Sequence, residues 1–66
     1  MPNNKLIDIS GELVVPFETP LAYRFYDGSR TEWIPKFQCE WDASDRDPNI
    51  GTMTMPEWLA QEKGFI

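Results

Sequence analysis

Apolar residues recur at the odd positions of one early stretch of the chain. From Ile7 to Glu18 the odd positions are Ile7, Ile9, Gly11, Leu13, Val15 and Phe17, and the even ones include Asp8, Ser10, Glu12 and Glu18. A period of two sustained this long predicts a strand with one face turned to a core. Gly11 falls on the apolar side, where a missing side chain implies a bulge, a sharp bend, or a ring from another strand packed over it. Pro16 removes a ladder donor, so this end of the strand lies at an edge or leaves the sheet.

A second arm places Leu21, Tyr23 and Phe25 on one face and Ala22, Arg24 and Tyr26 on the other. Asp27-Gly28 then predicts a tight hairpin turn. In the third arm Trp33, Pro35, Phe37, Cys39 and Trp41 share the apolar parity, alternating with Glu32, Ile34, Lys36, Gln38, Glu40 and Asp42. Pro35 breaks the ladder, which favours two short strands with a kink between them. The run from Asp42 to Gly51 is polar and rich in turn formers, hence a loop, and Thr52 to Met55 alternates again as a short last strand. Pro56, Glu57, Lys63 and Gly64 are the start and stop signals of a two-turn helix, with Trp58, Leu59 and Phe65 to dock on the sheet. Together these elements predict a mainly β fold, an SH3-like or split β-barrel of four to five antiparallel strands closed by a short C-terminal helix, with an oligonucleotide-binding-type barrel fitting the same string.

At 66 residues the chain has room for one domain, residues 1–66, with a small core built from a few large rings. The N-terminal stretch lacks a cationic region followed by an apolar run, and no segment approaches the ~20 apolar residues that span a bilayer, so a soluble intracellular protein is expected. Net charge is −5. Between residues 27 and 47, six acids (Asp27, Glu32, Glu40, Asp42, Asp45, Asp47) face three bases (Arg30, Lys36, Arg46), so this third of the chain carries −3. Such a surface repels phosphate backbones, which disfavours duplex nucleic acid as a direct ligand and favours a protein partner with a basic surface; the alternative is binding of single strands through stacked aromatics on a barrel face, for which only six basic residues are available.

Histidine is absent, which removes Ser-His and Cys-His nucleophilic pairs and histidine metal sites. Cys39 lies between apolar neighbours and reads as a core filler. Glu32, Glu40 and Asp42 occupy the polar side of an alternating arm, a solvated face rather than an acid/base pair. Asp45, Asp47 and Asn49 have the one-three-five spacing of a calcium loop, but Gly51 and Glu57 each stand one place too late, so an ordinary acidic loop is expected. No catalytic residue, metal or cofactor is expected.

By parity Tyr26 and Ile34 fall on the polar face among acidic neighbours, and Trp58 is a further candidate. Apolar anchors with a charged rim describe a protein-binding patch; the alternative is that the terminal helix covers them. The candidate partner-binding set is Tyr26, Asp27, Glu32, Ile34, Glu40, Asp42, Asp45 and Asp47. An open edge near Pro16 or Pro35 offers pairing with a second copy, as a homodimer.

Trp33-Ile34-Pro35-Lys36, the acidic Glu40-Trp41 stretch and the ending Met55-Pro56-Glu57-Trp58-Leu59-Ala60-Gln61-Glu62-Lys63-Gly64-Phe65-Ile66 resemble a group of short bacteriophage and prophage proteins. The resemblance runs from about Gly11 onward and is most specific in the last twelve residues. Phe37 departs from it, standing where a small polar residue follows the lysine. The resemblance implies a phage-encoded accessory role in the host cytoplasm, such as replication support, modulation of a host enzyme or inhibition of a host defence complex, and brings no catalytic residue with it.

Overall fold

A computed structural model describes residues 5–66; residues 1–4, part of the N-terminal stretch read above, lie outside it. The alternating first segment forms β1 (Leu6–Glu18), followed by β2 (Ala22–Tyr26), β3 (Thr31–Pro35), a 3-10 turn at Lys36–Gln38, β4 (Glu40–Ala43), β5 (Ile50–Pro56) and the helix α1 (Glu57–Lys63). The strands form one antiparallel sheet in the order β3-β2-β1-β5-β4. The mainly β expectation is therefore met, with five strands and one C-terminal helix.

Directly opposed residues of an antiparallel pair share a face. On the inner face Ile7 opposes Met55, Ile9 opposes Met53, and Met53 in turn opposes Trp41. Leu13 opposes Phe25, and Tyr23 opposes Ile34. Leu13, Phe25, Ile34, Met53 and Met55 are buried there with Leu59 and Ala60 of the helix, and Ile7, Ile9, Tyr23, Cys39, Trp41 and Phe65 pack around them.

The sheet is rolled. β2 and β4 stand three strand spacings apart, about 14 Å on a flat sheet. Yet the Phe25 and Trp41 rings meet edge to face with centroids 5.9 Å apart. Gly11 permits this, because the Phe25 ring packs over it in the place of a side chain. Of the three readings of Gly11, the packed ring is the one observed.

The irregularity in β1 falls later. The register passes from Leu13 opposite Phe25 to Glu18 opposite Tyr23, so four residues of β1 bulge out against one of β2. The bulge contains Pro16, and Phe17 there has φ 64°.

At the other end Gly64 adopts φ 82°, and the Phe65 N–H donates to the Ala60 carbonyl, the six-to-one bond of a Schellman ending. Phe65 thereby meets the Phe25 ring edge to face at 5.5 Å. Leu59 is buried as expected, whereas Trp58 stays partly exposed. Among the described residues, no helix is long and apolar enough to cross a membrane.

The third arm corrects the parity reading. Ile34, placed by parity on the polar face, is fully buried, while Trp33 is 39% exposed and Phe37 84% exposed. The kink at Pro35 is present, but it is a 3-10 turn, whose three residues per turn reset the two-residue phase. Ile34 before the turn and Trp41 after it both point inward although their numbers have opposite parity. Leu21, assigned the apolar face of the second arm, precedes β2 and is exposed.

Candidate acidic face and groove

The outer face of the sheet assembles residues that the sequence keeps far apart. Glu40 of β4 opposes Thr54 of β5, which opposes Asp8 of β1, and the next row runs Asp42, Thr52, Ser10. A third row runs Ile50, Glu12, Tyr26, Thr31 across β5, β1, β2 and β3. Four carboxylates thus share one face with short hydroxyl side chains between them. Glu40 and Asp8 lie two strand spacings apart, about 10 Å at the backbone. Their mutual repulsion at that distance is only about 0.4 kcal/mol in water, so the fold tolerates the arrangement. The Thr54 hydroxyl donates to Asp8 Oδ1 at 2.6 Å.

Among the described residues, three of the six bases pair with other carboxylates. Lys5 pairs with Glu57, Arg30 with Glu32 at 3.2 Å, and Lys36 with Glu18 while packing over the Tyr23 ring. Arg24, which shares the outer face, donates to the Val15 carbonyl in the bulge of β1. Among the described residues Asp8, Glu12, Glu40 and Asp42 enter no ion pair.

Where β1, β2 and β5 meet, an open groove of about 480 Å³ runs over the paired main chains of Gly11 and Gly51, walled by Tyr26, Ile50, Glu12 and Asp27. The Tyr26 hydroxyl donates to the Gly28 carbonyl at 2.9 Å, which fixes the ring along the hairpin. Asp27 Oδ1 accepts the N–H groups of Ser29 and Arg30, both at 2.8 Å. The hydrogen bond from Arg30 is the main reason its carboxyl titrates below the usual aspartate value. This turn spans four residues between Tyr26 and Thr31, with positive φ at Gly28 alone of them, rather than the two-residue turn that Asp-Gly predicts.

The candidate set separates accordingly. Tyr26 and Asp27 line the groove, and Glu40 and Asp42 stand exposed on the acidic face. Glu32 lies on the inward side of β3, paired to Arg30. Asp45 is exposed in the loop. Asp47 turns its Oδ1 to the Asn49 N–H at 2.8 Å, and the Trp41 indole N–H donates to the Pro48 carbonyl, so the loop is held by its own bonds and by the core. Ile34 cannot be a surface anchor, because it is core. Sequence reasoning left Asp8, Glu12, Thr52 and Thr54 outside the set. Their signal was present in the even-numbered phases of β1 and β5, but the β1–β5 pairing that brings them together joins residues about forty positions apart.

Among the described residues, no group of three or more Cys, Asp or Glu side chains is placed to hold a metal ion. Cys39 is partly buried against the core, and burial pushes its thiol up to about 11, far from a reactive thiolate. Compared with known protein families, curated proteins and solved structures, the chain matches none.

Proposed function

We propose that this chain is a non-enzymatic, phage-type acidic binding protein that docks on a basic surface of a protein partner and modulates or inhibits it. The observation that supports this most is the outer face carrying Asp8, Glu12, Glu40 and Asp42, which form no ion pair among the described residues. A surface kept anionic in this way speeds encounter with a basic patch and opposes phosphate backbones. The partner class that fits is a nucleic-acid-handling protein, such as a host defence complex, whose basic ground would be occupied by carboxylates in place of phosphates.

Capture from a bacterial lysate tests the reading. The wild-type chain is set beside a variant carrying Asp8→Asn, Glu12→Gln, Glu40→Gln and Asp42→Asn, with Asp45→Asn as the loop control. One stoichiometric protein retained by wild type and by the control, and lost by the face variant, is the expected result. Retention by the face variant would sink the proposal.

A second reading is self-association, favoured by the exposure of three large apolar side chains, Val15 and Phe17 in the β1 bulge and Leu21 just before β2. It predicts a sedimentation coefficient that rises with protein concentration and returns to the monomer value in Leu21→Ser.

A further inference from the structure

We infer that the groove over Gly11 and Gly51 receives an arginine side chain presented by the protein partner, its guanidinium stacked on the Tyr26 ring and flanked by the carboxylates of Glu12 and Asp27. This rests on the docking proposed above and names the part of the partner that is read.

Three features of the groove fit that occupant. The Tyr26 ring is held in place by its hydroxyl bond to Gly28 before any ligand arrives, so little side-chain freedom is lost on binding. Ile50, about half exposed and separated from Tyr26 by Glu12 in the same row, offers an apolar surface for the methylene stem of a long side chain. No lysine or arginine lines the groove, and the two arginines nearest Tyr26 in sequence are committed elsewhere, Arg24 to the Val15 carbonyl and Arg30 to Glu32.

Charge decides the class of ligand. Asp27, held ionised by its turn bonds, and Glu12 together oppose a phosphate or a carboxylate, and they favour a cation. Geometry decides which cation. A planar guanidinium stacks on a tyrosine face and presents donors in a fixed fork that matches carboxylates, whereas an ammonium acts as a compact point charge with a costlier hydration shell.

The test is an NMR titration of the full chain with a capped peptide holding one arginine between glycine and serine residues, beside its lysine and citrulline counterparts. The expected result is saturable shifts centred on the amides of Tyr26, Gly28, Ile50 and Gly51 with the arginine peptide. Affinity should be at least about threefold weaker for lysine and lost for citrulline. Tyr26→Leu should weaken binding about fivefold, and Glu12→Gln, which leaves the ring in place, by a similar factor. Equal affinity for arginine and lysine with shifts centred on Glu40 and Asp42 would reduce the effect to surface charge and overturn the inference. Binding of the citrulline peptide would mean that the groove reads main chain, and groove shifts that follow protein concentration alone would mean a second copy occupies it; either overturns it too. If the arginine peptide fails while partner capture still depends on the face carboxylates, the groove assignment falls and the acidic-face reading stands. Arginine-selective groove binding, with capture lost in Glu12→Gln alone and kept when only Asp8, Glu40 and Asp42 are neutralised, leaves the groove standing without the wider acidic face.

Discussion

The Phe25 ring lies so close over Gly11 that a β-carbon there would stand 2.7 Å from Phe25 Cζ. The same ring meets Trp41 and Phe65 edge to face, so one residue joins the middle of the sheet, the far edge strand and the C-terminus. Gly11 is the floor on which that hub rests.

Gly11→Ala is accordingly expected to destabilise the fold by about 1–3 kcal/mol. Besides the ring, the added carbon would stand 2.3 Å from the Tyr26 carbonyl oxygen, which is backbone and cannot rotate away. Urea denaturation with a lowered midpoint and an unchanged slope is the check. A midpoint within error of wild type would refute the packing argument.

Ile34 and Trp33 invert the usual ranking of tryptophan over isoleucine. Ile34→Ala should cost about 3 kcal/mol, because the side chain is fully buried among Met53, Met55 and Leu59. Trp33→Ala should cost about 1 kcal/mol or less, since the indole stands beside Arg24 on the outer face. Thermal melts of the two variants decide the order.

Gly64 is constrained twice, by φ 82° and by the Arg30 guanidinium, whose Nη1 would lie 2.2 Å from an added β-carbon. Gly64→Ala should therefore lose about 1–2 kcal/mol from the backbone alone. Adding Arg30→Ala should return about 0.5 kcal/mol by removing the collision, a coupling that a double-mutant cycle measures. Strict additivity would place the guanidinium away from the helix end.

Asp27 ties stability to acid. Its carboxyl titrates below the ordinary value of 3.8 in the folded chain, chiefly through the Arg30 N–H, so its contribution is fully present above that value. The contribution is lost as pH falls through the folded value, where native and unfolded chains bind the proton alike. Wild type should exceed Asp27→Asn in stability at pH 7, and the gap should close as pH falls below 3.8 and through the lowered folded value. Denaturation midpoints of both proteins across that range test the sign.

How much of this was legible in the sequence depended on whether a local pattern was sufficient. The alternation from Ile7 to Leu13, the helix stop at Gly64 and the kink at Pro35 are local, and each appears where the residues place it. The orientation of Ile34 was not legible, because a 3-10 turn and a strand count residues differently and the phase beyond the kink depends on which one forms. The acidic face was half legible. Glu40 and Asp42 were identifiable from their own arm, but Asp8 and Glu12 join them only through register with β5, a pairing that no local pattern encodes. Tyr26 was legible as an outward ring; the glycine pair beside it became a groove floor only once β1 and β5 were aligned.

The 3-10 turn at Lys36–Gln38 has a mechanical consequence. It carries the chain from β3 directly to β4, the two opposite edges of the sheet. Five strands laid flat would set those edges about 19 Å apart. The five peptide links from Pro35 to Glu40 reach about 18 Å when fully stretched, and less with three residues wound in the turn. The connection therefore acts as a drawstring: the sheet cannot flatten while it holds, and a flattened stack of the fibrillar kind requires this turn to unwind first.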